Sequence, residues 1–452
     1  MKDLTKGSPG RLILQFATPM LIGNVFQQLY NVADSVIVGR FIGKEALAAV
    51  GASFPIIFLL VSFVIGITMG STIIISQYFG AKDIPNVRRT IDTLYIVLFF
   101  TSIIVGTLGI IFSGSIFNLM NLPADVLPQA KIYLIVYLTG SVFFFGYNGI
   151  SAILRGLGDS KTPLYFLIIA TIMNIILALL FVVVFKWGVA GSAIATVISQ
   201  AGAFITGVIY LNRTHPIINL SWRKLNFDRE IFNKSIKIGL PSGIQQTFVA
   251  LGMMALMRVV NNFGTNTLAA YTAAGRIDSL ASMPAMNFGA ALSTFVGQNL
   301  GAQKPERVKQ GLRSTFFMAS ALAVTTTLLV IIFKHSLMGI FTCDPDVIEI
   351  GATYLVIISS FYICFSSMFV IGGVMRGAGD TLIPMFITLF SLWIIRIPLA
   401  YILSDIIGVT GIWWAIPIAW FLGAVLSYLY YLKGNWKKKI VVKPALNLPE
   451  DS

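Results

Sequence analysis

Two acidic side chains of this 452-residue chain lie well inside apolar stretches, namely Asp34 and Asp278. The rest of its eighteen aspartates and glutamates fall in hydrophilic segments or near the ends of apolar runs. An ionisable group inside an apolar segment is costly unless it is paired, hydrated or neutral, and it therefore points to function.

Asp34 ends a polar stripe whose members are spaced by three or four residues, which places them on one face of a helix. The stripe consists of Asn24, Gln27, Gln28, Asn31 and Asp34. Such a stripe cannot face lipid, so we expect it to line a protein interior or a water-filled cavity. Desolvation penalises the charged form of Asp34, which makes it a candidate proton carrier. The alternative is a polar cluster that only holds helices together.

Asp278 follows Arg276 by two residues, and residues two apart do not face each other on a helix. Arg396, midway along a later apolar run, is a candidate partner for Asp278, either as a static ion pair or as part of a functional site. Methionines cluster nearby in sequence: Met253, Met254, Met257, Met283 and Met286. Methionine suits adaptable binding surfaces, although simple helix packing is the favoured interpretation. We carry Arg276, Asp278, Met253, Met257 and Met286 as candidate substrate-cavity residues.

Composition indicates an all-α membrane protein. The chain is 56% hydrophobic and 11% charged, with a mean hydropathy of +0.85, whereas soluble domains carry roughly 25% charged residues. Twelve apolar runs are long enough to span as helices. They lie at about 12–38, 51–79, 92–114, 130–153, 163–186, 190–211, 236–262, 270–300, 314–334, 350–374, 384–406 and 411–432.

The basic residues indicate orientation rather than nucleic-acid binding. The net charge is +14, but the charges punctuate the apolar runs and do not gather on one soluble domain. Most lie in segments that share a side with both termini, for example Arg223 and Lys224, which predicts cytoplasmic termini. Two cysteines cannot form a metal cluster, and His215 and His335 each stand alone beside a predicted loop.

The chain repeats itself after 221 residues. Gln77, Gly80 and Ala81 match Gln298, Gly301 and Ala302, and the same offset joins Asp125 to Asp346, Tyr133 to Tyr354, and Arg155-Gly-x-Gly-Asp159 to Arg376-Gly-x-Gly-Asp380. Six runs per half make the two halves parallel repeats. We therefore predict an N-terminal lobe at 1–211, a cytoplasmic linker at 212–235, a C-terminal lobe at 236–432 and a cytoplasmic tail at 433–452.

Over nearly its whole length the chain resembles the multidrug and toxic compound extrusion (MATE) family of the flippase-like transporter superfamily. The motifs that carry the resemblance are Pro19 with Asp34-Ser-x-x-Val-Gly39, Gln77-Tyr-Phe-Gly-Ala81, Arg155-Gly-x-Gly-Asp159, Arg276-Ile-Asp278 with Pro284, and Ser293-Thr-Phe-Val-Gly-Gln-Asn-Leu-Gly-Ala302. The resemblance implies two six-helix lobes arranged as a V, alternating access, and export of organic cations in exchange for protons or sodium. It also implies a polar network of Asp34, Asn148, Asn174 and Thr196, and a bend of the first helix at Pro19.

Two departures from the family bear on the coupling ion. The family often shows Asn-x-x-x-Asp on the fifth span, whereas here Asn174 is followed by Ala178. A sodium site using that carboxylate would lose a ligand, and hard cations prefer several oxygen donors. The second half likewise has no acidic residue between Lys237 and Asp278, where one sodium-linked branch carries a glutamate. Proton coupling through Asp34 is favoured, and neither departure excludes sodium.

The sequence thus predicts a proton-coupled multidrug exporter of a bacterial-type plasma (inner) membrane, acting as a monomer on organic cations or drugs, without cofactor or nucleic acid. Two alternatives from the same superfamily stay open, a sodium-coupled exporter and a flippase for lipid-linked precursors, the latter because Arg276 and Arg396 could meet a phosphate headgroup. A membrane-embedded enzyme would need a nucleophile–base pair or metal ligands within the spans. Neither histidine nor any cysteine pair supplies them.

Overall fold

The computed structural model describes residues 2–120, 122–214 and 225–442, and every regular element in these ranges is helical. His215, Arg223, Lys224 and most of the predicted linker and tail lie outside the described residues.

The first half contains seven α-helices and one short π-helical segment. In chain order these are α1 (Pro9–Phe41), α2 (Lys44–Gly80), α3 (Ile84–Leu119), α4 (Leu127–Thr139), α5 (Ser141–Gly156), α6 (Lys161–Leu179), the π segment (Leu180–Val184) and α7 (Gly188–Thr214).

The second half repeats this order. It contains α8 (Arg229–Asn261), α9 (Thr265–Gly301), α10 (Pro305–Gly339), α11 (Pro345–Ser359), α12 (Tyr362–Gly377), α13 (Leu382–Leu389), a second π segment (Phe390–Arg396), α14 (Ile397–Ile407) and α15 (Val409–Lys433), and a short 3₁₀ helix (Asn435–Lys439) follows it.

Length and composition make ten of the predicted runs credible membrane spans. Eight stretches of helix are long and apolar enough to cross a bilayer, and two bent pairs each qualify as one span. The two remaining runs form α1 and α9, with 33 and 37 residues. Both are long enough to cross a bilayer, which needs about 20 residues. They are too polar to qualify on hydropathy because they carry the polar residues around Asp34 and Asp278.

The fourth and tenth predicted runs are not continuous helices. The axis bends by 51° between α4 and α5, and by 47° between α11 and α12. Gly140 marks the first bend, where an added Cβ would collide with the Val197 side chain of α7. The two bends lie at equivalent positions of the repeat. The π segments interrupt the fifth and eleventh runs at different places, because residues 180–184 correspond at the 221-residue offset to 401–405, whereas the second segment lies at 390–396.

Contacts divide the chain into two compact units. The first comprises residues 1–2, 18–79 and 83–243, and the second residues 3–17, 80–82 and 244–452. Helix α1 therefore begins in the second unit and continues in the first from Thr18, next to Pro19. Helix α8 begins in the first unit and continues in the second after Gly243, next to Pro241. These compact units do not test the lobe boundaries predicted from the repeat, which stay a prediction.

Candidate functional site

Asp34 is buried in the first unit, with 6% of its surface exposed. Two hydroxyl groups donate hydrogen bonds to its carboxylate. The Ser192 hydroxyl of α7 donates to Oδ1, and the Tyr133 hydroxyl of α4 donates to Oδ2 over 3.5 Å. Two further tyrosines, Tyr30 and Tyr137, lie within electrostatic range of Asp34. The site is therefore a carboxylate among neutral hydroxyls.

Apolar packing holds this carboxylate and its partners in place. One cluster joins α1 to α6, the π segment and α7; it contains Ile37, Ala178, Phe181, Val182 and Ala195. A second joins α1 to α2, α4 and α7; it contains Val38, Ala46, Tyr133, Val189 and Ala193. Asp34 precedes Ile37 and Val38 by less than one and a half turns, so the helices that form both clusters also enclose Asp34.

The π segment and Gly191 bring Ser192 to the carboxylate. Phe181 stacks on Trp187 with ring centroids 4.9 Å apart, and the Trp187 amide donates to the Phe181 carbonyl over 2.9 Å. Helix α7 then passes so close to Phe181 that a Cβ at Gly191 would lie 3.1 Å from its carbonyl carbon. Only glycine permits this approach without displacement, and Ser192 follows directly.

The polar network implied by the family resemblance is found in part. The Asn174 amide donates to the Thr196 hydroxyl over 3.2 Å, and both residues are buried. Thr196 in turn lies beside the Tyr30 hydroxyl. Asn148 instead donates to the Phe144 carbonyl of its own helix over 2.8 Å. Among the described residues, no hydrogen bond joins Asn148, Asn174 or Thr196 directly to Asp34.

Sequence reasoning missed the two direct partners of Asp34. Ser192 has no distinguishing context, because a serine beside glycine and alanine is ordinary in a membrane helix. Tyr133 did carry a signal, since it is one of the positions repeated at the 221-residue offset, as Tyr354.

The four amides of the predicted stripe differ from Asp34 in their burial. Asn24, Gln27, Gln28 and Asn31 are exposed, whereas Asp34 at the end of the stripe is buried. That the exposed members line a water-filled cavity stays a prediction. Pro19 lies inside the continuous helix α1.

A second carboxylate site, whose aspartate is half-buried, lies in the second unit. Asp278 of α9 faces the Tyr362 hydroxyl and lies within electrostatic range of Arg396 and Tyr354. Asp278 Oδ1 and Arg396 Nε are both buried without a hydrogen-bond partner among the described residues. Asp278 and Arg396 therefore lie close enough to interact electrostatically, as predicted, but no hydrogen bond between them satisfies Asp278 Oδ1 or Arg396 Nε. Tyr354 is the equivalent of Tyr133 in the 221-residue repeat.

The remaining candidates of the second unit lie at its surface or are partly exposed. The exposed fraction is 54% for Met253, 38% for Met257 and 41% for Met286, so these methionines do not fill the core of this unit. Arg276 is exposed. His335 belongs to the last turns of α10 and is not alone, because its Nε2 lies 3.3 Å from a Glu349 carboxylate oxygen.

Comparison with known proteins identifies the family. The MatE family model matches residues 19–180 and again residues 241–402, which is most of both halves. The chain belongs to the MatE family. The two matches to one family model agree with the internal repeat.

Curated MatE relatives span nearly the whole chain. It is 34% identical to YpnP and 33% identical to YoeA of Bacillus subtilis, over 96% and 97% of this chain and 97% and 96% of theirs. It is 28% identical to NorM of Thermotoga maritima, over 95% of this chain and 94% of that one. All three are described as probable multidrug resistance proteins.

Solved MatE structures share the fold. A MATE transporter of the MOP superfamily in an outward-facing conformation matches with a TM-score of 0.90 at 24% identity, covering 97% of this chain and 99% of that one. A MATE protein in a bent conformation matches equally well, with a TM-score of 0.90 at 24% identity over 96% of this chain and 98% of that one. The fold is thus that of a membrane transporter with two repeated units.

Proposed function

We propose that this protein is a secondary-active multidrug exporter that exchanges organic cations against protons by alternating access. It would act as a monomer in a bacterial-type plasma membrane with both termini in the cytoplasm. The multidrug assignment is supported by relatives that are described as probable multidrug resistance proteins. The observation that carries the proton assignment is the buried carboxylate of Asp34 with its two hydroxyl partners.

Hydroxyl partners suit a carboxylate that changes its protonation state. A hydroxyl both donates and accepts hydrogen bonds, and a protonated carboxyl group gains a donor. When Asp34 is ionised, Ser192 and Tyr133 donate to it. When Asp34 is protonated, one hydroxyl can rotate and accept. Asp34 therefore has a hydrogen-bond partner in both protonation states, so it can take up and release a proton in place.

The surroundings of Ala178 further favour protons over sodium. Ala178 is fully buried within the apolar cluster of Ile37, Phe181, Val182 and Ala195. The position where related sequences often carry a second carboxylate therefore offers no oxygen donor. Sodium coupling is the second candidate because Asn174 Oδ1 is buried without a hydrogen-bond partner among the described residues. A hard cation would use such an oxygen.

Flipping of a lipid-linked precursor has weaker support. It depends on Arg276 and Arg396 as cations for a phosphate group. Arg276 is exposed, and Asp278 lies within electrostatic range of Arg396 and offsets its charge. One of the two cations is therefore offset by a carboxylate, which weakens the case for a phosphate ligand.

Ion substitution in proteoliposomes tests the proposal. The purified protein is reconstituted, and the flux of a fluorescent organic cation such as ethidium is driven by an imposed pH gradient, with either sodium or potassium as the only added alkali cation. We expect equal rates in both salts and collapse of the flux with a proton uncoupler. A flux that follows a sodium gradient at constant pH would instead establish the second candidate.

A further inference from the structure

The segment before α1 is held in a polar socket of the second unit, to which residues 3–17 belong. The Leu4 side chain is 1% exposed, and its amide donates to Gln298 Oε1 over 2.9 Å. The Leu4 carbonyl accepts from Asn299 Nδ2 over 3.2 Å. Leu4 is therefore buried, and side chains of the second unit satisfy its backbone amide and carbonyl.

Arg307 and Lys304 extend the socket along the same segment. Arg307 Nη2 donates to the Gly7 carbonyl over 2.9 Å and approaches that of Leu4 at 3.4 Å. Its Nε donates to Asn299 Oδ1 over 2.9 Å, which fixes the amide that holds Leu4. Lys304 Nζ donates to the Thr5 carbonyl over 3.2 Å. Three backbone carbonyls, at residues 4, 5 and 7, thus accept hydrogen bonds from cationic side chains.

The socket is formed by the repeated motif of the second half, Gly297-Gln298-Asn299-Leu300-Gly301-Ala302. Gln298 and Asn299 are fully buried. The backbone of Gln298 also meets the end of α2, because a Cβ at Gly80 would collide with the Gln298 carbonyl oxygen. Gln298 therefore packs closely against Gly80 with its carbonyl and accepts a hydrogen bond from Leu4 with its side chain.

We propose that Gln298, Asn299 and Arg307 are positioning residues for transport: they hold the start of α1, the helix on which Asp34 lies. The proposal rests on the transport function above. None of these three side chains has to touch substrate or ion. Since α1 is one continuous helix from Pro9 to Phe41, holding its start limits how far it can rotate or slide. Release of the segment would remove that limit.

Hydrogen exchange and transport kinetics on the full-length, reconstituted protein test this role. Arg307→Gln removes the guanidinium fork, and Arg307→Lys keeps the charge but cannot reproduce bonds to Gly7 and Asn299 together. Leu4→Ala removes the apolar anchor. Lys309→Gln is the matched control, because Lys309 lies on the same helix and forms its salt bridge among the described residues with the exposed Glu306, at 3.2 Å, not with the segment before α1.

We expect Arg307→Gln, which loses charge-assisted hydrogen bonds, and Leu4→Ala, which loses a buried apolar side chain, to speed amide exchange at residues 4–8 by about tenfold or more. We expect the turnover number to fall by about fivefold with KM unchanged, since no substrate contact is lost. Arg307→Lys should restore part of both, and Lys309→Gln should change neither.

Two results would overturn the proposal. Either exchange at residues 4–8 stays slow in both variants, or it speeds up while turnover stays at the wild-type level. The exchange measurement uses no ion gradient, so it stands even if the driving ion is sodium. If the wild-type protein moves no organic cation under any gradient, the proposed function fails, while the exchange data still report on the socket.

Discussion

At the scale of single residues, the site around Asp34 depends on groups that carry no charge of their own. Ser192 makes the shorter of the two hydrogen bonds to the carboxylate, and Tyr133 the longer one, at 3.5 Å. The sequence identified Asp34 because a carboxylate in an apolar run is rare. It could not identify Ser192, because a hydroxyl shows its role only through the partner that the fold brings to it.

Ser192→Ala should impair exchange of drug against protons. A hydrogen bond to a charged group contributes about 1.5–3 kcal/mol, so we expect the rate to fall by about tenfold or more in proteoliposomes. Ser199→Ala is the control, because Ser199 lies two turns further along the same helix, is equally buried and, among the described residues, donates to the Ala195 carbonyl of its own helix. Equal rates in both variants would remove Ser192 from the site.

Asp3 gives a prediction about pH. Partial burial acts to raise the pKa of Asp3, yet hydrogen bonds from Thr5 and the charges of Lys6 and Lys304 hold that pKa below its usual value. A lowered carboxyl pKa stabilises the turn at every pH above the ordinary aspartate value, and this stability is lost only as the pH falls through the lowered value. We therefore expect protection of the Thr5 amide, corrected for intrinsic exchange, to stay constant from about pH 8 to about pH 5. A loss of protection within that window would show that Asp3 does not hold the turn.

At the scale of helices, periodicity and the repeat predicted most of the architecture. The predicted runs all correspond to helices or helix pairs, and their order recurs in both halves. The bends at Gly140 and after Ser359 were missed because an apolar run looks the same whether it is straight or bent. The π segments were missed for a related reason, since one extra residue per turn barely changes the hydrophobic pattern.

Gly191→Ala tests how closely α7 must approach the π segment. The added Cβ would lie 3.1 Å from the Phe181 carbonyl carbon, so α7 has to move and take Ser192 with it. We expect a loss of about 1–3 kcal/mol in stability, as for overpacked cores, together with slower transport. Gly51→Ala of α2 is the control, because its Cβ meets nothing within 4 Å and should stabilise the helix by about 0.5–1 kcal/mol. A Gly191→Ala protein that melts and transports like the wild type would refute this account of the close approach.

At the scale of the whole molecule, a duplicated architecture carries chemistry that is not duplicated. Tyr133 and Tyr354 are equivalent, and each lies near a carboxylate, that of Asp34 or that of Asp278. The carboxylates come from different helices, however. The residue 221 positions after Asp34 is Ala255, and the one 221 positions before Asp278 is Ile57. Each unit therefore has its own acidic site, and we assign the coupling role to that of the first unit.

The central claim is that drug export is driven by protonation of Asp34, and Asp34→Asn tests it most directly. Asparagine keeps the shape of the side chain but cannot ionise, so the variant should fold, insert and still bind the organic cation. In proteoliposomes with an imposed pH gradient, we expect proton-driven efflux to be abolished while drug binding to the purified variant persists. A well-folded Asp34→Asn protein that transports at the wild-type rate would contradict the claim and make Asp278 the carboxylate to test next.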